Sequence, residues 1–269
     1  MSFDKIALGQ YVPAESPVHA LDPRLKILMT ITVMAAIFAT SGLTGFLLWG
    51  AALVAFTKLS KIPFRVVLAS AKPVIILVVF TSLLHLFITP GAPIVRAGPL
   101  SISQEGAAAA VKMSLRLLYL VMFASLLTLT TTPAKISDGL ESLLSPFRRV
   151  GLPAHEISMM ITIALRFIPT LFEETGRIIK AQKSRGAEFE TGSLIKRAKA
   201  YIPVLIPLFV IIFKRADSLA SAMEARGYHG GAGRTRMYPL KYNAHDAAAA
   251  ALFIVIVAAV LAADRMAGL

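Results

Sequence analysis

Long apolar runs are the feature that most limits how this chain can fold. A transmembrane helix needs about 20 mainly apolar residues, and charged side chains are excluded from such segments. The chain has a mean hydropathy of +0.70, and we expect an all-α integral membrane protein with about five transmembrane helices. The predicted spans are 25–42, 43–58, 66–88, 106–131 and 245–263.

The charge balance supports the same interpretation. Only 16% of the residues are charged, yet the net charge is +13. Lys and Arg collecting on the cytoplasmic side of a membrane protein would give this balance. Nucleic-acid binding needs basic residues on a soluble face and a recognisable motif, and none is found, so no nucleic-acid partner is predicted. With no cysteines there is no disulfide framework or thiolate metal site.

The loops predict an orientation. The 89–105 loop holds one basic residue, Arg96, whereas basic residues flank the other side of the spans: Lys58, Lys61, Arg65, Lys135, Arg148 and Arg149. The positive-inside rule then places the N-terminus and residues 135–240 in the cytoplasm, and the 89–105 loop and the C-terminus outside. Lys112 and Arg116 share a helix face in span four. They are interpreted as snorkelling or buried polar contacts, or as part of a substrate path.

The chain is therefore divided into residues 1–134 with four spans, residues 135–240 in the cytoplasm, and residues 241–269 with the last span. Residues 135–240 contain two long helical patterns, 154–185 and 193–226. Each helix would reach roughly 50 Å, beyond a bilayer core of about 30 Å. Each has an apolar, proline-containing first half and a charged second half, which suggests a weak duplication.

Both long helices end in arginine followed by glycine: Ser184-Arg185-Gly186 and Ala225-Arg226-Gly227. A single copy is typical of an ordinary helix C-terminus, because glycine terminates helices and a cation suits the last turn. Two copies, each with a small residue before the arginine, favour a second role. The planar guanidinium would reach a groove on another protein, and one such end per subunit suits a partner that comes in pairs.

These motifs resemble those of a known family, the T components of energy-coupling factor transporters, a branch of the ATP-binding-cassette importers. The wider run "FKRADSLASAMEARGYHGGAGRTRM" (213–237) also looks like family sequence, as do "LRFIPTLFEE" (165–174) and "SPVHALDPRLKI" (16–27). The resemblance covers most of the chain. It places the protein in the cell membrane of a prokaryote.

The resemblance implies a non-catalytic subunit with two kinds of partner. Two cytoplasmic ATPases bind ATP and Mg, so this chain holds no cofactor, catalytic residue or metal of its own. A small membrane S component captures a vitamin or trace metal ion. Residues 184–186 and 225–227 would dock on the ATPases. The apolar first halves of the long helices, tested at Ile206 and Leu208, would contact the S component, or else face lipid.

Other classes fit less well. The segment "GGAGRT" (230–235) lacks the lysine of a phosphate-binding loop and a preceding strand. The motif "HEISM" (155–159) is not a metalloprotease signature, so an intramembrane enzyme is not supported. The alternative function is a stand-alone ion-coupled secondary transporter built on proline-broken helices. Lys72, Lys112 and Arg116 offer no acidic partner for proton coupling, which counts against it.

Overall fold

The computed structural model describes residues 11–97, 100–150, 153–230, 240 and 242–267. These residues fall into two compact units, which we name by content. Of the described residues, those in 11–142 and 240–267 form the membrane unit, and those in 143–230 form the arginine unit. That residues 135–240 lie in the cytoplasm stays a prediction.

Helices dominate both units, which confirms the predicted fold class. The α-helices are α1 (Pro17–Ala20), α2 (Pro23–Ala39), α3 (Leu43–Leu59), α4 (Phe64–Ser70), α5 (Ile75–Ile88), α6 (Gln104–Thr130), α7 (Pro133–Leu144), α8 (Ala154–Ser184), α9 (Leu194–Ala200), α10 (Ile202–Ala225) and α11 (Ala244–Ala267). Sequence reasoning missed one feature. A short antiparallel hairpin, β1 (Pro93–Ala97) and β2 (Leu100–Ser103), occupies the loop between α5 and α6.

The third predicted span is broken by a proline. Helices α4 and α5 are separated by a 3-10 turn at Lys72–Val74. Pro73 has no backbone N–H, and its ring clashes with the carbonyl four residues earlier, so a regular α-helix does not run through it. The same effect divides the predicted helix 193–226. It breaks at Tyr201 into α9 and α10 because Pro203 occupies the first turn of α10.

Four described helical segments are long and apolar enough to cross a membrane: 64–88, 104–130, 155–184 and 244–267. Three of them are predicted spans, while the segment 155–184 is the first predicted coupling helix. Helices α2 and α3 have 17 residues each. At 1.5 Å per residue they are about 26 Å long, slightly less than a bilayer core of about 30 Å.

Helix α11 is fastened to the α2–α3 turn by one buried carboxylate. Asp264 accepts backbone hydrogen bonds from Ser41 (2.9 Å), Gly42 (2.9 Å) and Gly45 (3.1 Å). The first turn of α3 leaves such N–H groups without helical partners, and Gly42 provides no capping side chain. Residue 264 therefore supplies the cap that α3 lacks, from more than two hundred residues away.

The opposite end of α11 is fastened to the start of α2. Asp246 accepts a hydrogen bond from the backbone N–H of Asp22 (2.9 Å). At the same end, buried Lys26 donates to the carbonyls of His19 (3.1 Å) and Thr130 (3.2 Å) and to a threonine hydroxyl. We call this the first end of the membrane unit, and the end at Asp264 the second end. Eighteen residues of α11 separate its two carboxylates, about 27 Å.

The centre of the membrane unit is an apolar core. Trp49 and Phe46 are fully buried, and the Trp49 ring meets that of Phe123 edge to face at 6.0 Å. Trp49 Nε1 donates to Thr40 Oγ1 (3.1 Å), which satisfies the polar group of a buried indole. Arg116 Nη2 donates to the carbonyl of Thr40 (2.8 Å), so the structure favours a buried polar contact at this arginine rather than a substrate path.

Candidate functional site

The C-terminus of α8 closes in a defined turn. The N–H of Gly186 donates to the carbonyl of Lys183 (3.0 Å), and the N–H of Ala187 donates to that of Gln182 (3.0 Å). This pair of bonds is a Schellman motif, in which the residue after the cap adopts a left-handed conformation. Arg185 is the cap residue, and Gly186 has φ +87°.

The C-terminus of α10 repeats that turn bond for bond. The N–H of Gly227 donates to the carbonyl of Glu224 (2.9 Å), and the N–H of Tyr228 donates to that of Met223 (3.0 Å). Arg226 is the cap residue, and Gly227 has φ +74°. The two Arg-Gly motifs therefore have one backbone geometry, in which each arginine holds the same position relative to its helix axis.

The two glycines are required by conformation and not by space. A Cβ atom built at Gly186 or Gly227 meets nothing within 4 Å. An L-residue in the left-handed region costs roughly 1–2 kcal/mol. Glycine therefore serves as an ordinary helix terminator at both motifs. The open space around each glycine also leaves the neighbouring arginine accessible.

We expect Gly186→Ala to fray the end of α8. Strain of roughly 1–2 kcal/mol should speed amide hydrogen exchange at residues 184–187 by about 5- to 30-fold. Gly176→Ala is the matched control, because its site is also open but lies within the helix without a positive φ, and alanine favours a helix interior. Unchanged exchange in Gly186→Ala would show that this turn does not depend on glycine.

Arg185 and Arg226 are both exposed. Neither guanidinium has a hydrogen bond or an ion pair to any other described residue, whereas Arg177 and Arg215 on the same helices contact Glu174. The preceding Ser184 and Ala225 and the following glycines are exposed as well. Each helix end therefore presents an unpaired planar fork with five N–H donors and small neighbours on both sides.

Helices α8 and α10 are antiparallel. Gln182, near the end of α8, donates to the carbonyl of Pro203 at the start of α10 (3.3 Å). Further along, Arg215 Nη2 contacts Glu174 Oε1 (3.2 Å). The two arginines therefore lie at opposite ends of the pair, which the sequence did not indicate.

The ion pair between Glu174 and Arg215 lies midway between the two Arg-Gly ends. Glu174 and Arg215 are 41 residues apart, the same spacing as Arg185 and Arg226. Each Arg-Gly arginine lies eleven residues beyond the ion pair, about 16 Å along its helix, which puts the arginines on the order of 30 Å apart.

Sequence reasoning missed this central pair. A 41-residue offset aligns Glu173-Glu174 with Lys214-Arg215, and opposite charges at equivalent positions were the available signal. The Glu174–Arg215 contact divides the helix pair into two equal arms of eleven residues, each ending in an Arg-Gly motif.

The loop between α8 and α9 packs against the neighbouring helices. Phe189 is buried, and its ring contacts that of Tyr201 at 5.0 Å. Lys183 pairs with Glu190 (3.3 Å), and Arg197 Nε donates to the carbonyl of Phe189 (3.4 Å). These contacts hold the residues that follow Gly186, while α8 holds the residues that precede Arg185. The first Arg-Gly end is therefore fixed on both sides along the chain.

One face of α10 carries a continuous exposed apolar row. Its members are between 47% and 71% exposed and follow helical spacing: Ile202, Leu205, Ile206, Phe209, Val210 and Phe213. Leu208 is half-buried and lies about 200° around the helix from Ile206. The two residues predicted to contact the S component are therefore on opposite faces of α10, and only Ile206 belongs to the exposed row.

Comparison with known proteins agrees with the motifs. Residues 14–238 match the protein family described as cobalt transport protein (CbiQ). The chain is 54% identical to the energy-coupling factor transporter transmembrane protein EcfT of Thermanaerovibrio acidaminovorans, over 98% of each chain. It is 43% identical to the protein of that name from Bacillus subtilis, over 95% of this chain and 97% of the relative.

These similarities extend through the membrane helices and both Arg-Gly ends, and the family match covers well over half of the chain. They confirm the resemblance drawn from the sequence. The protein belongs to the family of transmembrane components of energy-coupling factor transporters.

Proposed function

We propose that this chain is the subunit that transmits ATP-driven movement from two cytoplasmic ATPases to a substrate-capturing S component. The observation that carries the proposal is the pair of equivalent helix ends, each with an exposed, unpaired arginine. A transporter that worked alone would have no evident use for two such ends. A scaffold that holds two copies of a partner requires two equivalent contacts.

Docking would depend on the guanidinium forks. Arg185 and Arg226 would each enter a groove of one ATPase and donate to carboxylate or carbonyl oxygens, in the bidentate geometry that lysine does not provide. Because the Schellman turns fix the chain at each arginine, less backbone entropy is lost on docking. Ser184, Gly186, Ala225 and Gly227 keep the approach clear. ATP and Mg would be held by those partners.

The antiparallel pair suits two partners that move relative to one another. Arms of equal length extend in opposite directions from the Glu174–Arg215 contact, so each ATPase would act on one end. Opening and closing of the two ATPases would then change the angle between α8 and α10. The apolar row of α10 would carry that change to the S component.

The membrane unit supports a cytoplasmic position for these helices. Ser142, Lys26 and Asp246 all lie at the first end of that unit, so the chain leaves and re-enters at the same end. A segment whose two ends lie on the same side of a bilayer need not cross it, as we propose for these helices. Helix α8 carries seven charged residues, which disfavours a crossing at its second half.

Topology is tested with single cysteines, since the chain has none of its own. Exposed Ala92 and Met266, replaced one at a time by cysteine, should react with an impermeant thiol reagent on intact cells. His229→Cys should react only after permeabilisation. Labelling of all three in intact cells, or the reverse pattern, would contradict a cytoplasmic arginine unit.

Ile206→Arg should separate the S component while leaving the ATPases bound. The side chain is 61% exposed in the middle of the apolar row, and a charge placed in a desolvated interface costs several kcal/mol. Copurification of both partner types from native membranes measures this. Ser218→Arg is the control, because Ser218 is also exposed on α10 but lies outside the row. Equal loss in the two variants would argue against a specific contact.

The transported solute would be a vitamin or trace metal ion, recognised by the S component rather than by this chain. The description of the matching family mentions cobalt transport, whereas the names of the two relatives mention no substrate. The transported solute would be identified by isolating the S component that copurifies with this chain and determining which solute it binds.

Reconstitution tests the proposal as a whole. In vesicles the chain alone should move no solute under an ion gradient, whereas adding the copurifying ATPases, the S component and ATP should start uptake. Uptake by the chain alone would instead support a secondary transporter, the alternative indicated by its broken helices.

A further inference from the structure

Helix α9 is a short basic segment, and its two lysine side chains have no polar partner among the residues that the structure describes. Its N-cap is Ser193, whose Oγ accepts a hydrogen bond from the N–H of Lys196 (3.4 Å). Lys196 and Lys199 are exposed, and no other described residue pairs with either ammonium group. Arg197 is engaged at the carbonyl of Phe189, so the lysines are the free charges of this helix.

Exposed apolar side chains flank these lysines. Ile195 is 71% exposed and Ile202 is 49% exposed. They lie seven residues apart with Lys199 between them, so all three share one side of the segment. Tyr201 has a right-handed helical backbone (φ −82°, ψ −15°). The side of α9 that carries these residues is therefore continuous with the apolar row of α10.

The charge along this stretch has one sign. No Asp or Glu occurs from Thr191 to Ala216, a length of about 39 Å when helical. A basic helix with exposed apolar residues on the neighbouring face is typical of segments that lie in a membrane interface. There the lysine stems follow the apolar surface while the ammonium groups reach the headgroups.

We propose that α9 and the first turn of α10 lie in the plane of the bilayer and bind anionic phospholipid headgroups through Lys196 and Lys199, while the apolar row from Ile206 onward faces the S component. Ile195 and Ile202 enter the acyl boundary beside them. An acidic protein surface would meet the charge but leave these isoleucines exposed, whereas an anionic leaflet accommodates both. The lipid contact anchors the segment that joins the two coupling helices. The inference rests on the proposed cytoplasmic side of this segment, where anionic lipids concentrate.

The test uses the full-length chain in nanodiscs of phosphatidylcholine, with or without phosphatidylglycerol. An environment-sensitive fluorophore is attached to Ala198→Cys, an exposed position on α9, and in a second protein to Ser221→Cys, an exposed position late in α10. We expect lipids brominated near the headgroup to quench the first fluorophore, more strongly with phosphatidylglycerol. The second should remain unquenched.

Lys196→Gln combined with Lys199→Gln should remove the phosphatidylglycerol effect. The ratio of bilayer-bound to free segment should fall roughly fivefold for each lysine, as for other basic residues beside an anionic membrane. Lys180→Gln combined with Lys214→Gln removes the same charge from exposed positions of α8 and α10 and should leave the effect intact.

Equal quenching in both lipid mixtures, or a double Lys196/Lys199 variant that behaves like the native chain, would overturn the proposal. So would a fluorophore at residue 198 that stays in water and is shielded only when the copurifying ATPases are added, since that result indicates a protein contact. Copurification of the ATPases is scored on the native chain in the same lipid mixtures. Normal copurification without a lipid effect disproves this inference alone, and lost copurification with an intact lipid effect disproves the docking proposal alone.

Discussion

Changing both Arg185 and Arg226 to glutamate should abolish association with the ATPases and with it all ATP-dependent uptake. A hydrogen bond to a charged group contributes about 1.5–3 kcal/mol, so each arginine accounts for roughly a 10- to 150-fold change in affinity. Charge reversal adds repulsion where the partner's groove is acidic. Because both guanidinium groups are exposed and have no partner among the described residues, folding and membrane insertion should be unaffected.

The pair Lys180→Glu and Lys214→Glu is the matched control for charge, since both lysines are exposed on α8 and α10. A second control, Arg185→Lys with Arg226→Lys, keeps the charge but loses the planar fork and should weaken association only in part. Normal yield of ATPases with the double glutamate variant, measured by copurification, would exclude the arginines as docking groups.

Loss of the Asp264 carboxylate should give the largest loss of stability in the membrane unit. Asp264 is buried and caps the first turn of α3 with three backbone hydrogen bonds. In Asp264→Ala the N–H of Gly45 is left buried without an acceptor, and each such group costs about 1–3 kcal/mol. We expect a clear drop in the temperature at which the detergent-solubilised protein loses its monodisperse elution peak.

Arg265→Ala changes an exposed neighbour and should leave that temperature nearly unchanged. Asp264→Asn keeps one acceptor oxygen and should fall between the two. A thermal midpoint for Asp264→Ala equal to that of Arg265→Ala would mean that the cap contributes little, and that apolar packing alone holds α11 in place.

The helices were predictable because their signals are local. Apolar length located α3 and α6 to within about two residues, and the Arg-Gly motifs marked the ends of α8 and α10. The pattern 193–226 was expected to form one helix, but Pro203 lies in the first turn of α10 and separates α9 from α10.

Long-range arrangements were not predictable from one sequence. The cap on α3 comes from Asp264, and sequence spacing gives no indication of a partner so distant. The antiparallel arrangement of α8 and α10 depends on a turn around buried Phe189, which reads as an ordinary loop. Ile206 and Leu208 lie on opposite faces of α10, since residues two apart on a helix are separated by about 200°, so their shared contact with the S component stays a prediction.

The central claim is that one chain holds two ATPases, one at each Arg-Gly end. It is tested by attaching a photo-crosslinker to Ser184→Cys, to Ala225→Cys and to both in a single protein, then irradiating the complex in native membranes. Each single variant should give a covalent adduct with one ATPase, and the double variant an adduct with two. A crosslinker at Glu173→Cys, exposed eleven residues before Ser184, should give none. An adduct from only one end, or no adduct with two ATPases from the double variant, would contradict the account.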